Sequence, residues 1–248
     1  MPTVFLSPST QEYNHYITGG TEEEVMNQLA DAMLPYLRSS GIQMARNSPE
    51  GNVLQSIEQS NSGNYDLHIA LHSNASPENI AGQLQGPDIY YRQGNWRSRR
   101  FADILAQNFK SIYPYPWMVD IRASTQLAEV LRTIAPAVLI EVAYHDNLED
   151  AQWIQENIDL IAQTIVRSVT EYFGIPFVEA QPERAGRVAT GGSNLLLRSR
   201  PNTGAPVLAR MPDGSPVMVL GILPNGWYVT RYGGNVGYAS GNYIHLNE

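Results

Sequence analysis

A chain of 248 residues has room for one α/β domain of ordinary size plus a small module, and 43% hydrophobic with 16% charged residues is the make-up of a globular protein. The net charge of -8, with a single lysine and no basic block, argues against nucleic-acid binding driven by counterion release. With no cysteine in the sequence, disulfides, thiolate metal sites and cysteine nucleophiles are excluded together, so any metal must be held by His, Asp or Glu.

In chain order, Thr3 to Leu6 is expected as a short first strand, broken at Ser7-Pro8-Ser9. No basic leader precedes it and no apolar run approaches the roughly 20 residues that cross a bilayer, so neither a signal peptide nor a membrane span is expected and the export route is open. Residues 7–20 are polar and turn-rich and read as a surface loop carrying His15. Thr21 and Glu24 have the spacing of a helix capping box, and Gly41 closes the helix. Glu22, Met26, Leu29, Met33 and Leu37 share one face of that helix, so Glu22 continues the apolar stripe while Glu23 and Glu24 turn away. Pro35 is expected to kink the helix.

A second strand, residues 42–45, and a short helix, 53–59, lead to the stretch Y-D-L-H-I-A-L-H-S-N-A, a buried strand that ends in His72 and a Ser73-Asn74 turn. Alternation puts His68 and His72 on one face roughly 13 Å apart along the strand, too far to share one metal, so His68 reads as a core histidine and His72 as the site candidate. Strands at 86–92 and 117–121 and helices at 97–111 and 124–132 follow. Residues 137–143, A-V-L-I-E-V-A, form the second buried strand, and Glu141 within it is costly without a partner or a task. Helices at 148–157, capped by Asp146 or Asn147, and 158–173 complete the first region.

Residues 176–186 lack periodicity and read as a linker. Short strands separated by Pro-Asn and Pro-Asp-Gly turns then argue a small β-barrel over 187–248.

Two blocks, His72-Ser73-Asn74-Ala75 and Pro136-Ala137-Val138-Leu139-Ile140-Glu141-Val142, resemble the signature of the zinc-dependent N-acetylmuramoyl-L-alanine amidases of bacterial wall hydrolases and phage endolysins. The resemblance covers residues 1–175 and implies an open, mostly parallel twisted sheet flanked by helices. It also implies a Zn2+ ion held by His15, Glu22 and His72, Glu141 as catalytic acid/base, and Arg132, within Val130-Leu131-Arg132, positioning substrate. One departure stands out: where the family carries its first histidine in a Gly-His-Gly turn, this chain reads Ser7-Pro8-Ser9-Thr10, leaving His15 and His145 as competitors for that role. The stretches Asn194 to Pro201, Gly226-Trp227-Tyr228-Val229 and Val236 to Ser240 resemble bacterial SH3-like wall-binding modules. Together they imply a monomeric, extracellular or wall-associated peptidoglycan amidase. The alternatives are a zinc peptidase acting on wall peptides and a non-catalytic wall-binding protein.

Overall fold

The computed structural model describes residues 1–247. The chain divides into two compact units, one of Thr3–Met33 and Met44–Tyr172, the other of Met1–Pro2, Leu34–Gln43 and Phe173–Glu248.

The first unit is built on a six-stranded sheet. Its strands are β1 (Thr3–Pro8), β2 (Gln43–Arg46), β3 (Leu67–Asn74), β4 (Asp88–Arg92), β5 (Asp120–Ser124) and β6 (Ala137–Tyr144), in the order β2-β1-β3-β6-β4-β5. The pairs β1/β3, β3/β6 and β4/β5 are parallel, and β4 runs antiparallel to β6. The strands β3 and β6 lie at the sheet's centre, which explains their near-continuous apolar sequence: Leu67, Ile69, Leu71, Val138, Ile140 and Val142 are all fully enclosed. Strand β5 starts three residues later than its sequence suggests, because Pro116–Met118 is taken up by a 3₁₀ turn.

The helices are α1 (Glu22–Ser39), α2 (Val53–Ser62), α3 (Trp96–Phe109), α4 (Ala128–Arg132), α5 (Leu148–Glu156) and α6 (Ile158–Phe173). The capping box of α1 forms as the sequence requires: the Glu24 amide donates to Thr21 Oγ1 at 3.2 Å and the Thr21 amide to Glu24 Oε2 at 3.0 Å. Gly41, at φ 78°, closes the helix in a conformation that side-chain-bearing residues rarely adopt. Met26, Leu29, Met33 and Leu37 are fully buried, and Glu22, on the same face, is 1% exposed. Asn147 caps α5 by accepting from the amides of Glu149 and Asp150.

The second unit carries a seven-stranded sheet of β7 (Arg184–Val188), β8 (Leu195–Arg198), β9 (Val207–Met211), β10 (Pro216–Ile222), β11 (Trp227–Tyr232), β12 (Asn235–Ser240) and β13 (Ile244–Leu246). Its order is β13-β7-β10-β11-β12-β8-β9, and every pair is antiparallel. Val188, Leu197, Met211, Val219 and Ala239 fill one apolar cluster, and Leu220, Val229 and Tyr238 another. The segment expected as a linker is tied down within this unit. The amides of Val178 and Gln181 donate to the hydroxyls of Ser40 and Ser39, and Gln181 Oε1 accepts from the Ile222 amide. Side-chain capture of backbone groups supplies order where neither helix nor strand periodicity exists.

Candidate functional site

The parallel pairing of β3 with β6 puts His72 and Glu141 opposite one another as Cα partners, so both side chains leave the same face of the sheet. Glu22 arrives from the first turn of α1. Its Oε1 lies 2.8 Å from His72 Nδ1 and accepts from the Ser73 amide at 3.3 Å, while Oε2 accepts from Asn14 Nδ2 at 2.6 Å. Gln11 Nε2, from the loop after β1, is 3.4 Å from the same imidazole nitrogen.

On the other side of the ring stands a residue that no local pattern singles out. Glu129, in α4, places Oε2 3.1 Å from His72 Nε2. Its Oε1 accepts from Ser7 Oγ at 2.5 Å and lies 3.3 Å from His68 Nε2, and the residue is 3% exposed. His68 is the core histidine that alternation indicates, fully buried, bonded through Nδ1 to Ser60 Oγ at 2.9 Å and stacked on Phe5. Although His68 and His72 are four residues apart, their rings meet the two oxygens of one carboxylate.

Burial opposes the charged form of each of these groups, and the pairings decide which ones keep their charge. Despite burial, the hydrogen bonds and charge of His72 hold Glu22 below the usual carboxylate range. Glu129 is lowered strongly by His68 and His72, and both carboxylates raise His72 well above the usual imidazole value. Glu141 has no such donor. Burial, reinforced by the charges of Glu22, Asp88 and Glu129, pushes it up to about 7, with His72 acting in the opposite direction. Asp88, its neighbour across β4, is engaged by Arg122 Nε at 2.7 Å.

These groups open into a cavity of about 380 Å³ lined by Ser9, Gln11, His72, Glu129 and Glu141 among others. Three buried polar atoms by the site lack a hydrogen-bond partner among the described residues: Glu141 Oε2, the Tyr16 hydroxyl and His68 Nε2, whose approach to Glu129 is a 3.3 Å contact only. Burial and the charges of Glu22 and Glu141 raise the Tyr16 pKa, so its phenol stays protonated.

The other expected residues lie elsewhere. His15 is exposed, its backbone bridging Thr21, and its ring makes no contact with Glu22 or His72. His145 is 4% exposed with Nδ1 2.9 Å from the Ser73 carbonyl oxygen, so it fixes the turn after His72. Arg132 is exposed at the end of α4, and it is Leu127, Ala128 and Glu129 from the helix's beginning that line the cavity. No group of three or more His, Asp or Glu side chains converges as a metal cage among the described residues. The site nevertheless suits zinc in kind: an imidazole nitrogen and a carboxylate oxygen meet beside a cavity, with an unpartnered carboxyl oxygen close by.

A family comparison matches residues 10–171, more than half of the chain, to N-acetylmuramoyl-L-alanine amidase. The chain belongs to the N-acetylmuramoyl-L-alanine amidase family. A bacterial SH3 domain matches residues 193–245. Similar solved structures include an N-acetylmuramoyl-L-alanine amidase of Nostoc punctiforme, with a TM-score of 0.62 at 15% identity, covering 70% of this chain and 97% of that one. The amidases of Mycobacterium smegmatis and Clostridium difficile give TM-scores of 0.61 and 0.59 at 17% and 19% identity, each over 70% of this chain and 97% of theirs. At such identities the likeness shows the shared fold. No curated protein matches the sequence. The function of this chain is that of its family, a peptidoglycan amidase.

Proposed function

We propose that the chain hydrolyses the amide between N-acetylmuramic acid and the L-alanine of the stem peptide in a zinc-dependent reaction, with Glu22 and His72 as metal ligands and Glu141 as acid/base. The observation that carries this reading is the Glu22 to His72 contact of 2.8 Å directly beside Glu141 on the adjoining strand. A third protein donor would come from the loop between Ser9 and Gly20. His15 qualifies if that loop turns inward, whereas Gln11 presents its amide nitrogen to the ring and commits its oxygen to Tyr13 and Asn14. Held by Glu22 and His72, zinc would supply Lewis acidity toward the scissile carbonyl and the attacking water.

The chain's own residues account for the proton traffic. Glu141, with a pKa pushed up to about 7, accepts a proton from the attacking water and delivers it to the departing alanine nitrogen. Tyr16, kept protonated, holds an unpartnered hydroxyl that feels the charges of Glu22 and Glu141. Ser73, whose amide donates to Glu22 and whose carbonyl oxygen accepts from His145, fixes the carboxylate against α1. The SH3-like unit would retain the enzyme on the polymer and raise its effective concentration there. Acting on wall polymer places the enzyme outside the cell or at the wall, and no helix among the described residues is long and apolar enough to cross a membrane.

The test is digestion of purified peptidoglycan by wild type and Glu141→Gln, with and without chelator, with the new ends identified. Wild type is expected to release alanine amino groups, and Glu141→Gln to be slowed about 10²- to 10⁴-fold, the range of a lost acid/base. Chelator should stop the reaction and added zinc restore it. Cleavage that persists in both the variant and the chelated enzyme overturns the mechanism, and new amino ends at other peptide positions would make the chain a wall peptidase. His15→Ala, compared with wild type for zinc content, tests the third donor.

A further inference from the structure

Glu129 is buried, charged and spent on no ligand in the site as proposed, yet it lies against the imidazole that the metal reading depends on. Leaving such a carboxylate enclosed is costly unless its oxygens are occupied. Here they are, on both sides. Oε1 takes the Ser7 hydroxyl from β1 and faces His68 Nε2, while Oε2 faces His72 Nε2. His68 is in turn fixed by Ser60 from α2 and by stacking on Phe5. A chain of contacts thus runs from Ser60 through His68, Glu129 and His72 to Glu22, joining α2, β3, α4 and α1.

We propose that Glu129 is the positioning residue of this site: it accepts the Nε2 proton of His72 and so turns Nδ1, the other nitrogen, toward Glu22 as the metal-facing atom. An imidazole can present either nitrogen, and the one that binds is decided by the hydrogen bond made by the other. Without an acceptor at Nε2, the ring is free to rotate or to change tautomer, and the ligand geometry is lost although every ligand remains. His68 acquires a role by the same argument. It is a core histidine by burial, and its contact with Oε1 helps hold the carboxylate in the orientation that His72 requires. Neither Glu129 nor His68 is asked to touch substrate.

This inference rests on His72 being a metal ligand, and the experiment separates the two. Wild type, Glu129→Met and Ser7→Ala, each shown by circular dichroism to be folded, are titrated with zinc against a fluorescent chelator. In parallel, the Nε2 proton of His72 is followed by NMR of 15N-labelled protein, both metal-free and with zinc. Glu129→Met is close in volume and carries no oxygen acceptor, and its zinc affinity is expected to fall about 10- to 100-fold, the usual effect of removing a partner that orients a ligand. Ser7→Ala leaves His68 against the carboxylate and should weaken zinc only a few-fold. In wild type the Nε2 proton should be protected from exchange with or without metal, and in Glu129→Met it should exchange freely. Unchanged zinc affinity in Glu129→Met, or an Nε2 proton in wild type that is unprotected, overturns the proposal. A protected proton in a wild type that binds no zinc through His72 leaves Glu129 holding the ring and removes the metal reading instead.

Discussion

Glu141 shows how far one residue's environment sets its chemistry. A glutamate on a central strand is unusual in sequence, but its use depends on what faces it, and here no hydrogen-bond donor reaches Oε2. Burial and three neighbouring carboxylates therefore raise it to about 7. In metal-free protein an infrared carboxyl band titrating near that pH, and missing from Glu141→Gln, is expected. The same shift bears on stability. Folded protein holds this proton more tightly than unfolded chain, so the group's contribution is full below the ordinary carboxylate pKa of about 4.3 and is lost as pH rises through about 7. Glu22 and Glu129, held low, act in the opposite sense, and their contribution disappears as pH falls through their lowered values. Chemical denaturation of metal-free wild type should thus show stability declining toward both ends, with the alkaline decline reduced in Glu141→Gln. Identical alkaline limbs for the two proteins would count against the assigned shift.

At the scale of elements, the first turn of α1 matters most, because Glu22 is its first residue. The Thr21–Glu24 capping box occupies backbone donors that would otherwise be orphaned, and it keeps this turn from fraying. Thr21→Ala is expected to cost about 1 kcal/mol in denaturant melts. It should also weaken zinc binding, since a frayed turn releases Glu22 from His72; a variant equally tight for zinc would show that the cap is structural only. The sequence spoke clearly for this element because cap, stripe and stop signal all agree. For α4 it spoke only of a short helix before Pro136. Glu129 lies among apolar residues in a five-residue element with no stripe to read, and its partners Ser7, His68 and His72 are 122, 61 and 57 positions away along the chain.

For the molecule as a whole, each unit makes a separate demand. In the SH3-like unit, a cavity of about 630 Å³ is lined by Arg198, Trp227 and Tyr243, the last 48% exposed. Tyr243→Ala should lower co-sedimentation with peptidoglycan several-fold while leaving hydrolysis of a small soluble muramoyl peptide unchanged, as expected of a surface that holds rather than reacts. Loss of both together would assign the cavity to folding. The same unit packs β10 closely on residues 34–43. A Cβ added at Gly221 would come within 2.3 Å of the Ser39 carbonyl oxygen, so Gly221→Ala is expected to destabilise by about 1–3 kcal/mol in denaturant melts.

By itself, the sequence determined the α/β region followed by short strands, the buried β3 and β6, the face of α1 that carries Glu22, and the family. These rest on local periodicity, capping and motif, which neighbours along the chain specify. Only the tertiary structure decided which residues surround His72. It left the His15 ring in solvent and Arg132 off the cavity, placed Gln11 beside the imidazole, and brought Glu129 and His68 to the ring's other side. A side chain's partners across a sheet are fixed by strand order and helix packing, and no spacing along the sequence encodes them.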